Sequence, residues 1–163
     1  MDATDPKPPK ASPVDSARPT GDDRAGRLAD QLCFALYSAT NAVTRLYRPL
    51  LADLGLTYPQ YLVMLVLWER HSCRLGEIAE RLDLATHAVS PIVDRLEDAD
   101  LVRRVPDADD GRAVQVELTE AGAALESSIS DVQEELRCRT LLDDGEVVEL
   151  RTRLLELADR LGA

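Results

Sequence analysis

Cys33 and Tyr37 stand four residues apart, so on a helix they share one face. A thiol in that setting offers one kind of chemistry. Its thiolate is a nucleophile that attacks a peroxide oxygen, and a phenol donating a hydrogen bond stabilises the thiolate. The product is a sulfenic acid, which a second thiol can capture as a disulfide. Cys73 and Cys138 are the other two cysteines. Three widely scattered cysteines match neither a disulfide framework nor a metal spacing such as C-x-x-C. A cysteine on an apolar helix also has a plainer use as a small buried hydrophobe, and tyrosines can be core residues with satisfied hydroxyls. Tyr47 follows Cys33 by fourteen residues. At ~100° per residue it returns to within ~40° of the same direction, but about four turns further along the axis. Contact between the two would need a partner subunit or a reversal of the chain.

These residues sit in a helical frame. Leu28, Leu32, Leu36, Ala39, Val43, Leu46 and Leu50 recur at steps of three and four, which predicts a long helix over 25–54 with one buried stripe. Pro49 is expected to kink it and Gly55 to end it. A second helix is expected from Pro59 to Arg70, apolar on most faces and therefore central. Two short helices follow, over 75–82 and 86–99. The first has Leu75, Ile78, Ala79 and Leu82 inward, the second Ala88, Val89, Ile92, Val93 and Leu96. Pro91 should cause a local irregularity in the latter. His71 to Arg74 reads as a polar turn.

After Leu101 the period shifts. Residues 101–105 and 113–118 read as strands around the turn-forming 106–111, hence a hairpin. Thr119 is a plausible N-cap for a helix with Leu125, Ile129, Val132 and Leu136 on one stripe. A last helix over 143–161 repeats Val147, Leu150, Leu154, Leu157 and Leu161. Two short helices, a tight turn and a two-stranded wing make a winged helix-turn-helix, a mainly α fold with a small β element. The expected organisation is a flexible proline-rich tail over 1–24 and one domain over 25–163. Within that domain the DNA-binding unit covers about 58–118. The long helices, about 25–54 and 120–161, exceed what that unit needs, and a second subunit is the economical cover for their stripes.

In such a unit the N-terminal part of the second short helix meets base edges in the major groove. By position these residues are Thr86, His87 and Ser90, with Arg95 further along. Thr86 can alternatively cap the helix, and His87 can be a solvated histidine. Arg112 follows a glycine-containing turn, so the wing tip can place a long cation in a minor groove, with Asp110 orienting it. An exposed pair of little energetic worth is the alternative. Arg103 and Arg104 at the start of the hairpin can meet phosphates.

The net charge of the 163-residue chain is −11, which excludes a broad nonspecific nucleic-acid coat. From Arg74 to Arg112 there are six arginines and ten acids, so positive charge must be concentrated on one face. The longest apolar run, Tyr61 to Trp68, is too short to span a membrane. The first residues lack the apolar stretch of a signal peptide. A cytoplasmic location without membrane association is therefore the expectation, and in that compartment cysteines are mostly thiols.

LGEIAERL, VSPIVDRLEDADLVRR, Asp109-Asp110-Gly111-Arg112 and Leu118-Thr119-Glu120-Ala121-Gly122 together resemble the MarR family of bacterial regulators. QLCFALYS, LYRPL and LGLTYPQY look like its OhrR branch, the organic-hydroperoxide-sensing repressors. The resemblance implies a homodimer on a pseudo-palindromic double-stranded operator, with no cofactor, no metal and no catalytic set. It implies that Tyr37, Tyr47 and Tyr58 surround Cys33, at least one of them from the other subunit. It also implies, for the two-cysteine type, that Cys138 resolves oxidised Cys33; Cys73 has no counterpart. The recognition helix departs from the branch. LATHAVSPIVDRLE stands where the branch reads LDSGTLTPLLKRLE, so Ala85 replaces an acid, His87 a glycine and Asp94 a lysine. Two other readings compete: release by a small aromatic ligand, and a thiol peroxidase using Cys33 catalytically.

Overall fold

The computed structural model describes residues 26–107 and 113–162. The tail over 1–24 and the wing-tip residues Asp110 and Arg112 lie outside them. The chain divides into two compact units, Met1–Thr40 and Asn41–Ala163.

The described part of the first unit holds a 3-10 turn, Leu28–Asp30, and the start of helix α1, Leu32–Ala52. The long helix thus begins later than its periodicity predicts. The reason is local: Gln31 is extended, with φ −88° and ψ 125°, and separates the turn from α1. Leu28, Leu32 and Tyr37 are all exposed in the single chain.

In the second unit α1 runs on through Pro49, buries Tyr47 and Leu51, and stops where Gly55 turns left-handed at φ 68°. Helix α2, Tyr58–Arg70, opens with a capping box: the Gln60 side chain accepts from the Thr57 N–H at 2.8 Å. Because α2 is apolar on most faces, it forms the centre, with Val63, Met64 and Leu67 fully buried. Strand β1, Ser72–Arg74, occupies the segment expected to be a polar turn. It pairs antiparallel with β3, Val114–Leu118, which pairs with β2, Val102–Pro106, in the order β1-β3-β2. The hairpin is therefore a three-stranded sheet; three residues are too few for a periodic signal, and pairing with β3 makes the strand.

Helices α3, Leu75–Arg81, and α4, Thr86–Asp98, are the two short helices. Pro91 does not interrupt α4, which buries Val89, Val93 and Leu96 but leaves Ala88 exposed. The expected helix after Thr119 is two pieces, α5, Glu120–Ala124, and α6, Glu126–Thr140, meeting at Leu125. Thr119 is the N-cap, its hydroxyl oxygen accepting from the Gly122 N–H at 3.0 Å. Helix α7, Asp144–Gly162, buries no residue within the single chain. The architecture is a winged helix-turn-helix with additional helices before and after it in the chain. No described helix is long and apolar enough to cross a membrane.

Candidate functional site

The recognition helix is α4. Its N-cap position is taken by Ala85, with no side-chain cap, so Thr86 stands inside the first turn without capping it. Thr86, His87 and Arg95 are exposed and Ser90 is half-buried. The buried face of α4 is Val89, Val93 and Leu96. At ~100° per residue His87 and Asp94 point away from it.

Two ion-pair clusters hold β2. At its middle, Arg104 reaches Glu97 Oε2 at 2.5 Å and Asp94 Oδ1 at 2.6 Å, and donates to the Ser90 carbonyl at 3.3 Å. Its own N–H donates to Glu97 Oε1 at 2.9 Å. That backbone hydrogen bond, and then the guanidinium, hold the Glu97 carboxyl below the ordinary range. Just beyond β2, Asp107 is buried and accepts from Arg74 Nε at 2.6 Å and Gln115 Nε2 at 3.0 Å. A buried carboxylate needs such partners. Arg103 is more exposed and pairs with Glu117 at 2.9 Å. Neither cluster is readable from the sequence, because its members belong to different elements, as far apart in the chain as 14 positions in the first, Ser90 to Arg104, and 41 in the second, Arg74 to Gln115.

Sensor candidates lie elsewhere. In the first unit Cys33 and Tyr37, one helical turn apart on α1, are both exposed, Tyr37 at 66%. In the second unit Tyr47 and Tyr58 come together, ring centroids 5.2 Å apart. Tyr61 completes this cluster, 5.4 Å from Tyr47, and reaches Trp68 at 6.5 Å. Its signal was present in the sequence, since Tyr58 and Tyr61 are at i and i+3 and so share a helix face. Burial, and then the neighbouring Tyr61, raise the Tyr47 phenol above its ordinary value, and the same causes raise Tyr58. Both therefore stay protonated and able to donate at neutral pH.

The three thiols are free, and their settings differ. Cys73 is 1% exposed in β1, where burial, followed by Glu77, pushes its thiol up. Cys138 is exposed near the end of α6, its Sγ donating to Glu134 Oε1 at 3.6 Å, with Arg137 on the same carboxylate.

Residues 56–114 match the model of the MarR family. The HTH-type transcriptional regulator TtmR of Methylorubrum extorquens is 40% identical over 144 residues, 88% of this chain and 74% of its own length. The organic hydroperoxide resistance transcriptional regulator of Bacillus subtilis is 33% identical over 135 residues, 83% of this chain and 92% of its own. Among solved structures, reduced AbfR bound to DNA superposes with a TM-score of 0.70 at 30% identity, covering 86% of this chain and 99% of that one. AbfR in its disulfide form gives 0.58 at 33% identity, covering 86% and 93%. With α3, α4 and a wing in place and relatives this similar over most of its length, the chain belongs to the MarR family of DNA-binding transcription regulators.

Proposed function

We propose that the protein is a homodimeric repressor that leaves its operator when an organic hydroperoxide oxidises Cys33. The observation that carries this reading is the contrast among its thiols: Cys33 is exposed with Tyr37 one turn away, whereas Cys73 is sealed in the sheet. A peroxide must reach the sulfur, and a phenol beside it supplies a donor to the thiolate. The Cys33 thiolate attacks the terminal peroxide oxygen, the O–O bond breaks, and the alcohol leaves with the solvent proton. The sulfenic acid then condenses with the thiol of Cys138 of the partner subunit, forming S–S and releasing water. Tyr47 and Tyr58 are the proposed wall for the organic part, at least one of them coming from the partner subunit. The relatives support this chemistry, one named for organic hydroperoxide resistance and one solved in reduced and disulfide forms.

The dimer is supported by apolar side chains that the single chain leaves uncovered, Val147, Leu150, Leu154 and Leu161 on α7 and Leu32 on α1. On DNA, Thr86, His87, Ser90 and Arg95 meet base edges, Arg103 meets phosphates, and Arg112, oriented by Asp110, enters the minor groove.

The test is a gel shift on a duplex selected from a random pool by the reduced protein. Organic hydroperoxide should weaken wild-type binding roughly 5- to 150-fold, the usual range for coupling between two sites, and dithiol should restore it. Cys33→Ser should bind as well as wild type and ignore the peroxide. Release that persists in Cys33→Ser would refute the assignment, as would release by a phenol and not by peroxide.

A further inference from the structure

Five arginines are described between Arg74 and Asp107, and four of them are engaged by carboxylates. Arg74 pairs with Asp107, Arg81 with Glu69, Arg103 with Glu117, and Arg104 with Asp94 and Glu97 together. Arg95 has no carboxylate partner among the described residues. The Arg104 cluster differs from the others in two ways. It sets two carboxylates against one guanidinium, leaving one negative charge in excess at neutral pH. It also includes a residue of the recognition helix that faces outward: Asp94 follows His87 by seven positions, so it returns to within ~20° of the same direction. The Asp94 side chain is 57% exposed while that of Arg104 is only 23% exposed. The acid thus shows itself to an approaching duplex and the cation does not.

We propose that Asp94 sets the strength of sequence-independent DNA binding, by holding Arg104 against α4 and away from the phosphate backbone. The proposal rests on α4 and the wing forming the DNA-binding face. Binding to arbitrary sequence is almost wholly the exchange of counterions for protein cations. A guanidinium held by Asp94, Glu97 and the Ser90 carbonyl takes no part in that exchange unless it breaks those bonds. The exposed carboxylate adds repulsion. Without Asp94, Nη2 of Arg104 would be held only by its 3.3 Å bond to the Ser90 carbonyl, while Nη1 stays on Glu97.

The experiment is fluorescence anisotropy of the reduced, full-length protein on a duplex of about 20 base pairs of mixed sequence, over a salt series. Releasing one phosphate-bound counterion changes affinity about eightfold at 0.1 M salt. Asp94→Asn should therefore bind roughly five- to tenfold more tightly than wild type, with the slope of log K against log salt steeper by about one. Asp94→Glu should match wild type. Asp98→Asn removes another outward acid of α4, one with no ion pair among the described residues, and should change binding much less. Unchanged or weaker binding by Asp94→Asn would overturn the proposal, as would an equal gain from Asp98→Asn, since charge alone would then explain it. Arg112→Ala separates this from failure of the underlying reading. If it lowers the slope by about one while Asp94→Asn does nothing, only the role of Asp94 falls; if neither variant changes binding, the face itself is wrong.

Discussion

Tyr47 and Tyr58 are the residues whose chemistry the fold changes most. A phenol removed from water resists ionisation, and the adjacent Tyr61 ring adds to that resistance. The linkage has a definite sign. A raised folded value means that the protonated form is favoured by folding, so this contribution to stability is complete below pH ~10 and is lost as pH rises through the raised values. An alkaline titration followed by phenolate absorbance should show a late-ionising component from Tyr47 and Tyr58, and Tyr47→Phe should reduce it. Absence of any late-ionising component with the fold intact would contradict the packing described. For a thiolate-sensing role the consequence is useful: donors that stay protonated remain donors throughout the range in which a cysteine titrates.

At the scale of elements, the Leu118-Thr119-Glu120-Ala121-Gly122 segment acts as a stitch. The Thr119 hydroxyl donates to the Asp100 carbonyl at 2.6 Å and its oxygen accepts from the Gly122 N–H. The Gly122 carbonyl accepts from Trp68 Nε1 at 2.9 Å, tying α5 to α2. A Cβ at Gly122 would overlap the Leu101 carbonyl oxygen and lie 2.9 Å from its carbon, and both are backbone atoms that cannot swing away. The close passage of α5 over the α4–β2 connection therefore requires glycine. Gly122→Ala should lower stability by about 2–4 kcal/mol, at the high end for one added methyl because backbone must shift. Urea unfolding of the reduced protein measures it, and a loss under 1 kcal/mol would show that the passage is softer than its geometry.

For the whole molecule the open matter is partnership. An α7 that buries nothing in one chain has no reason to persist alone, since most helical stability comes from packing an apolar face. In the proposed dimer a partner subunit would supply that packing. It would also bring Cys138 of one chain to Cys33 of the other, which requires Cα atoms within ~7 Å. Bond formation that moves these helices would alter the spacing of two recognition helices, and half-sites demand about one DNA turn between them. After mild hydroperoxide treatment, a non-reducing gel should show wild type and Cys73→Ser as covalent dimers, and Cys33→Ser and Cys138→Ser as monomers. A covalent dimer surviving in Cys138→Ser would refute the pairing.

The local elements were readable from the chain because each is governed by near neighbours. The helices α1, α2 and α7, the Thr119 cap, the strands around the wing and the Cys33–Tyr37 face all follow from period and residue type, but the single chain buries Tyr47 and Leu51 of α1 and none of its expected stripe from Leu28 to Leu50. Three-dimensional packing governs whatever joins distant positions. Ser72–Arg74 becomes a strand only because β3 lies beside it. Arg104, legible as a free cation for phosphate, is drawn onto α4 by Asp94 and Glu97, and Tyr61 joins Tyr47 only when α2 meets α1. Periodicity assigns a side chain to a face of its own helix, but its partner belongs to another segment. That distinction separates Arg95, whose outward position both descriptions share, from Arg104, whose charge the fold has already engaged.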